Sequence, residues 1–588
     1  MDRAGLAAHW AHSLAVTPAE SKLISLREAV NVVRPGDAIY LGGSLARPNA
    51  ATFELVRQLH GTDPRLTVIA PAAGNQHAVL VHTGLVSKVI SSLHGNTFPA
   101  PGPNRVFTEA DRDGSVTFED WSMLTLVLRL YAAASGVPFL PTTSLTDTDL
   151  GEQLDKAGLL RVVGDPFGAG GTTAVVPPLQ PDVTFVHALL ADSAGNAVIS
   201  PPHYEGAWAA FAARRAVVVT AEKVVPTEVV RRYAQYVKVP SAITTAVCEV
   251  PFGSHPNQVP GELVPEVGGY HDDYDFLDEL RKACKRPEAL DEWVEHWVLG
   301  VSGHEEYLER LGADRLAKLR GETRIEGWQT ELSKLAKRWD DSPTDGELIA
   351  ALGARYLHRL VSEDALRLGL AGVGVSTLAA WMAASTLREE GRAFDLLAEG
   401  GMYGYVPLPL DPYLFNYRNL FTSTSLSDAQ TILDVVAGGP SSRTVGVLGA
   451  AQVDRRGAIN TSRINGRMLT GSGGGNDIAS SAAAVVVTTT HAPGRLPEQV
   501  EFVTSPGHRV RGIVTDRAVL ERPDPAQPFV MTGVLDRDGM THDQLVHAAV
   551  EMCGWDLAVA PDVELLNPVD ANELAAVRTF DPAGHFVA

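Results

Sequence analysis

Short β-branched runs alternate with longer Ala/Leu-rich stretches along most of the chain. Residues 38–41, 66–70, 217–220, 445–448 and 485–489 are apolar segments of strand length, a pattern that predicts strands buried on both faces. Between them, residues 51–59 and 377–390 are amphipathic and predict helices. Strand–helix alternation of this kind points to the α/β class, with mostly parallel sheets covered on both sides.

One stretch breaks the alternation. Residues 274–348 are highly charged and strand-poor, and they hold Trp293, Trp297, Trp328 and Trp339 of the nine tryptophans. The expectation is a helical insertion (about 274–345) at the end of a first half, its tryptophans acting as packing anchors. It ends in Asp340-Asp341-Ser342-Pro343-Thr344-Asp345-Gly346, a polar Pro/Gly segment of the kind that joins domains. The predicted domains are therefore 1–345 and 346–588. A weak repeat crosses this boundary. Asp192-x-x-Gly195 and Asp454-x-x-Gly457 each follow an apolar run, and a strand, glycine turn and helix recur near 33–59 and 366–380. Two diverged copies of one α/β unit account for both.

Composition narrows the function. Of 588 residues, 45% are hydrophobic, which excludes general disorder, and the net charge of −21 argues against nucleic acid or anionic lipid as partner. Cys248, Cys284 and Cys553 are far apart and form neither a disulfide framework nor a zinc motif. His187, His203, His255 and His304 have no metal-ligand spacing, so no metal site is expected. No apolar run reaches the roughly 18 residues of a membrane span. The start of the chain lacks a cationic stretch followed by an apolar core, and the expected address is cytoplasmic.

Two glycine-rich segments carry the sharpest signals. Ala398-Glu399-Gly400-Gly401 follows a strand-like run, so a carboxylate stands at a strand end where small neighbours let a substrate approach. From the residues alone, a solvent-facing loop glutamate is the competing reading. Gly471-Ser472-Gly473-Gly474-Gly475-Asn476-Asp477 precedes an Ala-rich segment. There Asn476 or Asp477 can cap a helix, and free amides can meet an oxyanion or phosphate. It is neither a Walker loop nor a dinucleotide fingerprint, and no nucleophile elbow is present. Gly42-Gly43-Ser44 with Arg47, and the segment 246–256, read as structured loops.

Taken in order, these segments resemble family I coenzyme A transferases, most closely the glutaconate CoA-transferase branch. The α-like matches are 25–41 running into Gly42-Gly43, 179–188 with Asp192 and Gly195-Asn196, and 250–256. The β-like matches are Glu399-x-Gly401 with Pro407, Gln452-Val453-Asp454 with Gly457, and Gly471–Asp477 with Ile478-Ala479. The departure is that both subunits stand in one chain. The resemblance implies two related open CoA-transferase-like α/β domains and an acyl-CoA:carboxylate CoA-transferase working through a glutamyl-CoA thioester on Glu399. It implies Gly473, Gly474, Gly475, Gln452, Gly42 and Gly43 as oxyanion or CoA contacts, and Ser44, Arg47 and Gly401 as substrate contacts. Arg463 is a second candidate for a substrate carboxylate. The CoA thioester is a substrate, with no permanently bound cofactor. The partners are an acyl-CoA and a carboxylic acid, and a homodimer is expected.

Two other readings stand beside this one. Relatives on the same scaffold hydrolyse CoA thioesters with ring opening, or decarboxylate them, without a glutamate at this position, and here Glu109 or Glu119 would be the working base. A non-catalytic CoA-ester or metabolite-binding protein is the reading from another class.

Overall fold

Strand Val183–Ala191, buried at all nine positions, lies inside a run of parallel strands, where neither face meets water. The computed structural model describes residues 2–14, 20–43, 45–168, 170–321, 327–333 and 342–587. From one edge the first sheet runs Thr117–Asp120, Val86–Ser91, Leu66–Ile69, Ala38–Tyr40, Val183–Ala191, Ala216–Val224 and Ala246–Glu249, every neighbour parallel. The second has a parallel run Asp395–Ala398, Leu368–Ala371, Thr444–Gly449, Ala484–Thr488 and Val510–Val514. Antiparallel Met402–Tyr405 and Ser425–Leu426 extend it at one end, and Ala518–Glu521 and Val530–Leu535 at the other. The α/β class with mostly parallel sheets is what the alternation predicted, and the strands at 38, 66, 216, 444 and 484 match it.

The two sheets share an order. In each, the first strand of the parallel run (Ala38–Tyr40 or Leu368–Ala371) has the next strand on one side, reached through a helix (Asn49–Leu59 or Val375–Glu389). The strand that follows later pairs on its other side. This reversal opens a crevice at the carboxyl ends of the strands, where open α/β sheets bind ligands. The repeated Asp-x-x-Gly turns also agree. Asp192 accepts from the Gly195 and Asn196 amides, both at 2.9 Å. Asp454 accepts from Arg456 and Ala458 at 2.9 and 3.0 Å.

The charged stretch is helical. Asp273 caps helix Tyr274–Ala283 by accepting from the Phe276 amide, and it also holds His255 and Arg315. Trp293 and Trp297 pack edge-on to Phe276 with ring centres 5.5 and 5.0 Å apart, closing the helices on the first core. Trp339, Asp340 and Asp341 lie outside the described residues. Helix Asp345–Glu363 begins in a capping box of Thr344 and Glu347. It packs on the second core, where Arg578 bonds Glu347 at 2.7 and 3.0 Å.

The halves meet along a continuous seam. One apolar cluster extends from the second sheet into Tyr40, Ile69, Trp121, Leu126 and Leu130 of the first half. Among the described residues no helix is long and apolar enough to cross a membrane.

Asp454→Ala strips two turn amides of their acceptor. It is expected to lower stability by about 1–3 kcal/mol, read as a lower urea midpoint of the full chain, with a smaller loss for Asp454→Asn.

Candidate active site

Strand Asp395–Ala398 ends at the crevice, and the chain reverses at once through Glu399-Gly400-Gly401 into Met402–Tyr405. Both glycines have physical reasons. Gly401 adopts φ +124°, and a Cβ there would strike the Ser427 backbone. At Gly400 a Cβ would enter the ring of Tyr204, which belongs to the first half. The turn is thus clamped from both sides: Ser427 N–H donates to Gly401 at 2.7 Å, and Tyr204 N–H donates to Gly400 at 3.2 Å.

The glycine loop comes from the second half but is laced onto the first. His94 N–H donates to Thr470 at 2.7 Å, Gly473 N–H to Ser92 at 3.0 Å and Met123 N–H to the Gly473 carbonyl at 2.9 Å. Asn476 and Asp477 do not cap the short helix Gly475–Ser481. Their carboxamide and carboxylate accept instead from the Leu145 and Leu124 amides of the first half, at 2.9 and 3.0 Å. Tertiary contact has outcompeted local capping. Of the three amides expected to meet an oxyanion, Gly473 is committed to Ser92 and Gly475 to Ser472. Gly474 faces Glu399 and donates to it, and a Cβ on Gly474 would collide with Glu399 Oε2.

Glu399 is a shared wall of two spaces. The inner cavity, about 800 Å3, lies between the halves and includes Gly42, Gly43, Arg47, His77, Gln258, Asp272 and Tyr413. The outer cleft, about 1880 Å3, is framed by 471–475, with Leu448, Ile459, Ile464 and Leu469 as apolar wall and Arg495 as its basic residue. Burial pushes the Glu399 carboxyl up to about 7, the nearby Asp477 carboxylate adds to that, and the Gly474 amide opposes it. Asp477 itself is raised to about 6 by burial. Burial, helped by Arg47, lowers His77 to about 4, so its ring is neutral near pH 7. Among the described residues Arg47 makes no ion pair although it lines a cavity containing carboxylates.

The structure therefore brings Glu399, Gly42, Gly43, Arg47, Gly473, Gly474 and Gly475 to the walls of these spaces. It does not bring Gln452 or Gly401 there. The Gln452 amide is committed to Asn460 at 2.9 Å and Gly494 at 3.4 Å, and Gly401 shapes the turn. Ser44 lies outside the described residues. Arg463 is paired with Asp111 at 2.9 Å. Glu109 is paired with Arg105, and Glu119 with Lys88 and Arg129; neither lines the spaces around Glu399. The sequence pattern did not single out Tyr204, His77, Asp272, Tyr413 or Arg495. Gln258 lies two residues beyond the 250–256 segment, which was signal enough to extend it.

The family described as coenzyme A transferase matches residues 23–249. One of the two kinds of chain in the glutaconate CoA-transferase of Acidaminococcus fermentans is 32% identical over 315 residues, covering 51% of this chain and 95% of its own length. The cholesterol ring-cleaving hydrolase IpdA subunit of Rhodococcus jostii is 28% identical over 296 residues, 47% of this chain and 92% of its own length. Among solved structures, an acyl-CoA transferase of E. coli O157:H7, in a thioester complex with CoA, matches with TM-score 0.63 at 17% identity. That match covers 95% of this chain and 98% of that one, and it is a likeness of fold.

The raised carboxyl predicts a measurable linkage. Its pKa rises from 4.5 unfolded to about 7 folded, so the native state binds more protons and loses stability as pH climbs between those values. Glu399→Gln is expected to melt about 2–4 °C above the parent at pH 8, with the gap closing below pH 4.5, measured by calorimetry.

Proposed function

The chain belongs to the coenzyme A transferase family, and from that premise we propose that it is an acyl-CoA:carboxylate CoA-transferase whose nucleophile is Glu399. The observation that carries the reading is that this carboxylate alone among ionisable groups is common to the inner cavity and the outer cleft. A group that exchanges CoA between two acids must reach both the thioester sulfur and the acyl carbon.

In this mechanism a Glu399 oxygen attacks the thioester carbonyl, the C–S bond breaks, and CoA leaves as thiolate from an acyl-glutamyl anhydride. The thiolate then attacks the Glu399 carbonyl, and the C–O bond to the donor acyl group breaks. The donor acid departs as carboxylate, leaving a glutamyl-CoA thioester. An acceptor carboxylate reverses both steps. Covalent catalysis keeps the thioester energy that water would discharge, which suits a carboxylate set in a seam rather than on the surface. The Gly474 amide is the donor best placed for the charge on the glutamyl carbonyl. Gly42 and Gly43 serve the inner side.

The outer cleft takes the CoA arm, its apolar wall beside the pantetheine and Arg495 toward phosphate. The inner cavity takes the acyl group, with Arg47 as cation for a second carboxylate. Residues 1–345 and 346–588 then correspond to an α-like and a β-like subunit joined in one chain. A second reading has a specific support. A Glu399 carboxyl near 7 is also matched to general-base activation of water, which would make the enzyme a thioester hydrolase.

Incubation with acyl-CoA followed by borohydride is expected to modify the peptide containing Glu399. Glu399→Ala is expected to lower transfer at least about a thousandfold; turnover left intact would overturn the assignment, and CoA released without an acceptor acid would mark the hydrolase. Because the ionised form attacks, kcat/KM should climb as pH rises through about 7 and level off above it.

A further inference from the structure

Tyr204 is a wall of a second space as well. A cavity of about 770 Å3 lies between Tyr204, helix Gly206–Ala212, the segment Val237–Pro240 and Asp428 of the second half. It shares no other lining residue with the cavities around Glu399.

Three charged groups stand in its walls without partners that would explain them. Glu205 is 1% exposed. Its Oε1 accepts the Tyr40 hydroxyl, and its Oε2 has no hydrogen-bond partner. A buried acceptor left unmet is costly, and this one lines the cavity. Lys238 and Asp428 approach from the two halves, and among the described residues neither forms an ion pair, with each other or elsewhere. Asp428 Oδ1 takes only the Thr431 amide, at 2.8 Å. Both charges act on His203, Lys238 lowering its pKa and Asp428 raising it. Around these groups the wall is apolar: Ala207, Trp208, Phe211, Val237 and Pro240. Phe211 is 43% exposed, an aromatic ring at the rim where a polar residue would be expected.

Opposite charges that share a cavity without pairing fit a ligand that carries both signs. We propose that this cavity binds a small zwitterion with an apolar side chain, an α-amino acid or close analogue. The ammonium group sits between Glu205 and Asp428, the carboxylate on Lys238, and the side chain against Trp208 and Phe211. The occupant rests on the segment that clamps the Glu399 turn, since His203 N–H donates to Ser427 at 2.8 Å and Tyr204 N–H to Gly400.

Calorimetric titration of the full chain with L-leucine and L-phenylalanine tests this. Saturable binding of either is expected, at least about tenfold weaker in Lys238→Ala and in Asp428→Asn. These two residues are partly exposed, so the variants should fold, which circular dichroism checks; Glu205→Gln is the buried third. Loss of the ammonium (4-methylpentanoate) or of the carboxylate (3-methylbutylamine) should weaken binding equally, and Glu399→Ala should leave it unchanged. No saturable binding of either amino acid overturns the proposal. So does binding undiminished in both surface variants, binding matched by either singly charged analogue, or binding lost in Glu399→Ala.

Discussion

Holding the Glu399 carboxylate in a seam between two halves costs solvation, and most of the local architecture answers that cost. A carboxylate taken from water must be met by donors or it takes up a proton. Here a single amide, from Gly474, bonds it, and Asp477 nearby works against ionisation. The result is a carboxyl poised near neutrality, neither a fixed anion nor a permanently neutral acid. The glycines follow from the same demand. Gly474 must lack a side chain for its amide to approach, and Gly400 must lack one because Tyr204 occupies the space.

The seam is polar where it carries precision and apolar where it carries adhesion. Backbone bonds from Ser92, His94, Met123 and Leu124 to the 470–477 segment set the height of the glycine loop. The cluster running through Trp121, Leu126 and Leu130 into the second sheet supplies buried area, roughly 1.5–3 kcal/mol for each large side chain fully covered. Directional bonds fix register and apolar contact supplies strength, and neither substitutes for the other.

Much of this was legible in the sequence because it is local. Buried parallel strands show as β-branched runs, Glu399 shows as a carboxylate between a strand and two glycines, and the Asp192 and Asp454 turns show by spacing. What was not legible depends on contacts between distant segments. Asn476 and Asp477 look like helix caps, and only the neighbouring half reveals the amides that claim them. Tyr204 sits in an unremarked Pro-Pro-His-Tyr segment, and its importance is defined by Gly400, nearly two hundred residues away. Gln452 stands in a motif that matches the family, yet its amide is spent inside its own hairpin. Motif membership marks a neighbourhood; side-chain commitments decide which member reaches the cavity.

The pairing of His94 with Thr470 has a bearing on biosynthesis. Roughly 380 residues separate the two, which at the usual pace of translation is about 20–75 s. For that interval the first half leaves the ribosome with its seam uncovered, presenting the open backbone groups of Ser92–His94 beside the apolar surface of Trp121 and Leu126. An unpaired edge of this kind is a template for the wrong partner. Serines and threonines stud that edge, at Ser91, Ser92, Ser122 and Thr125. Their polarity keeps the waiting surface hydrated until the glycine loop is synthesised and docks.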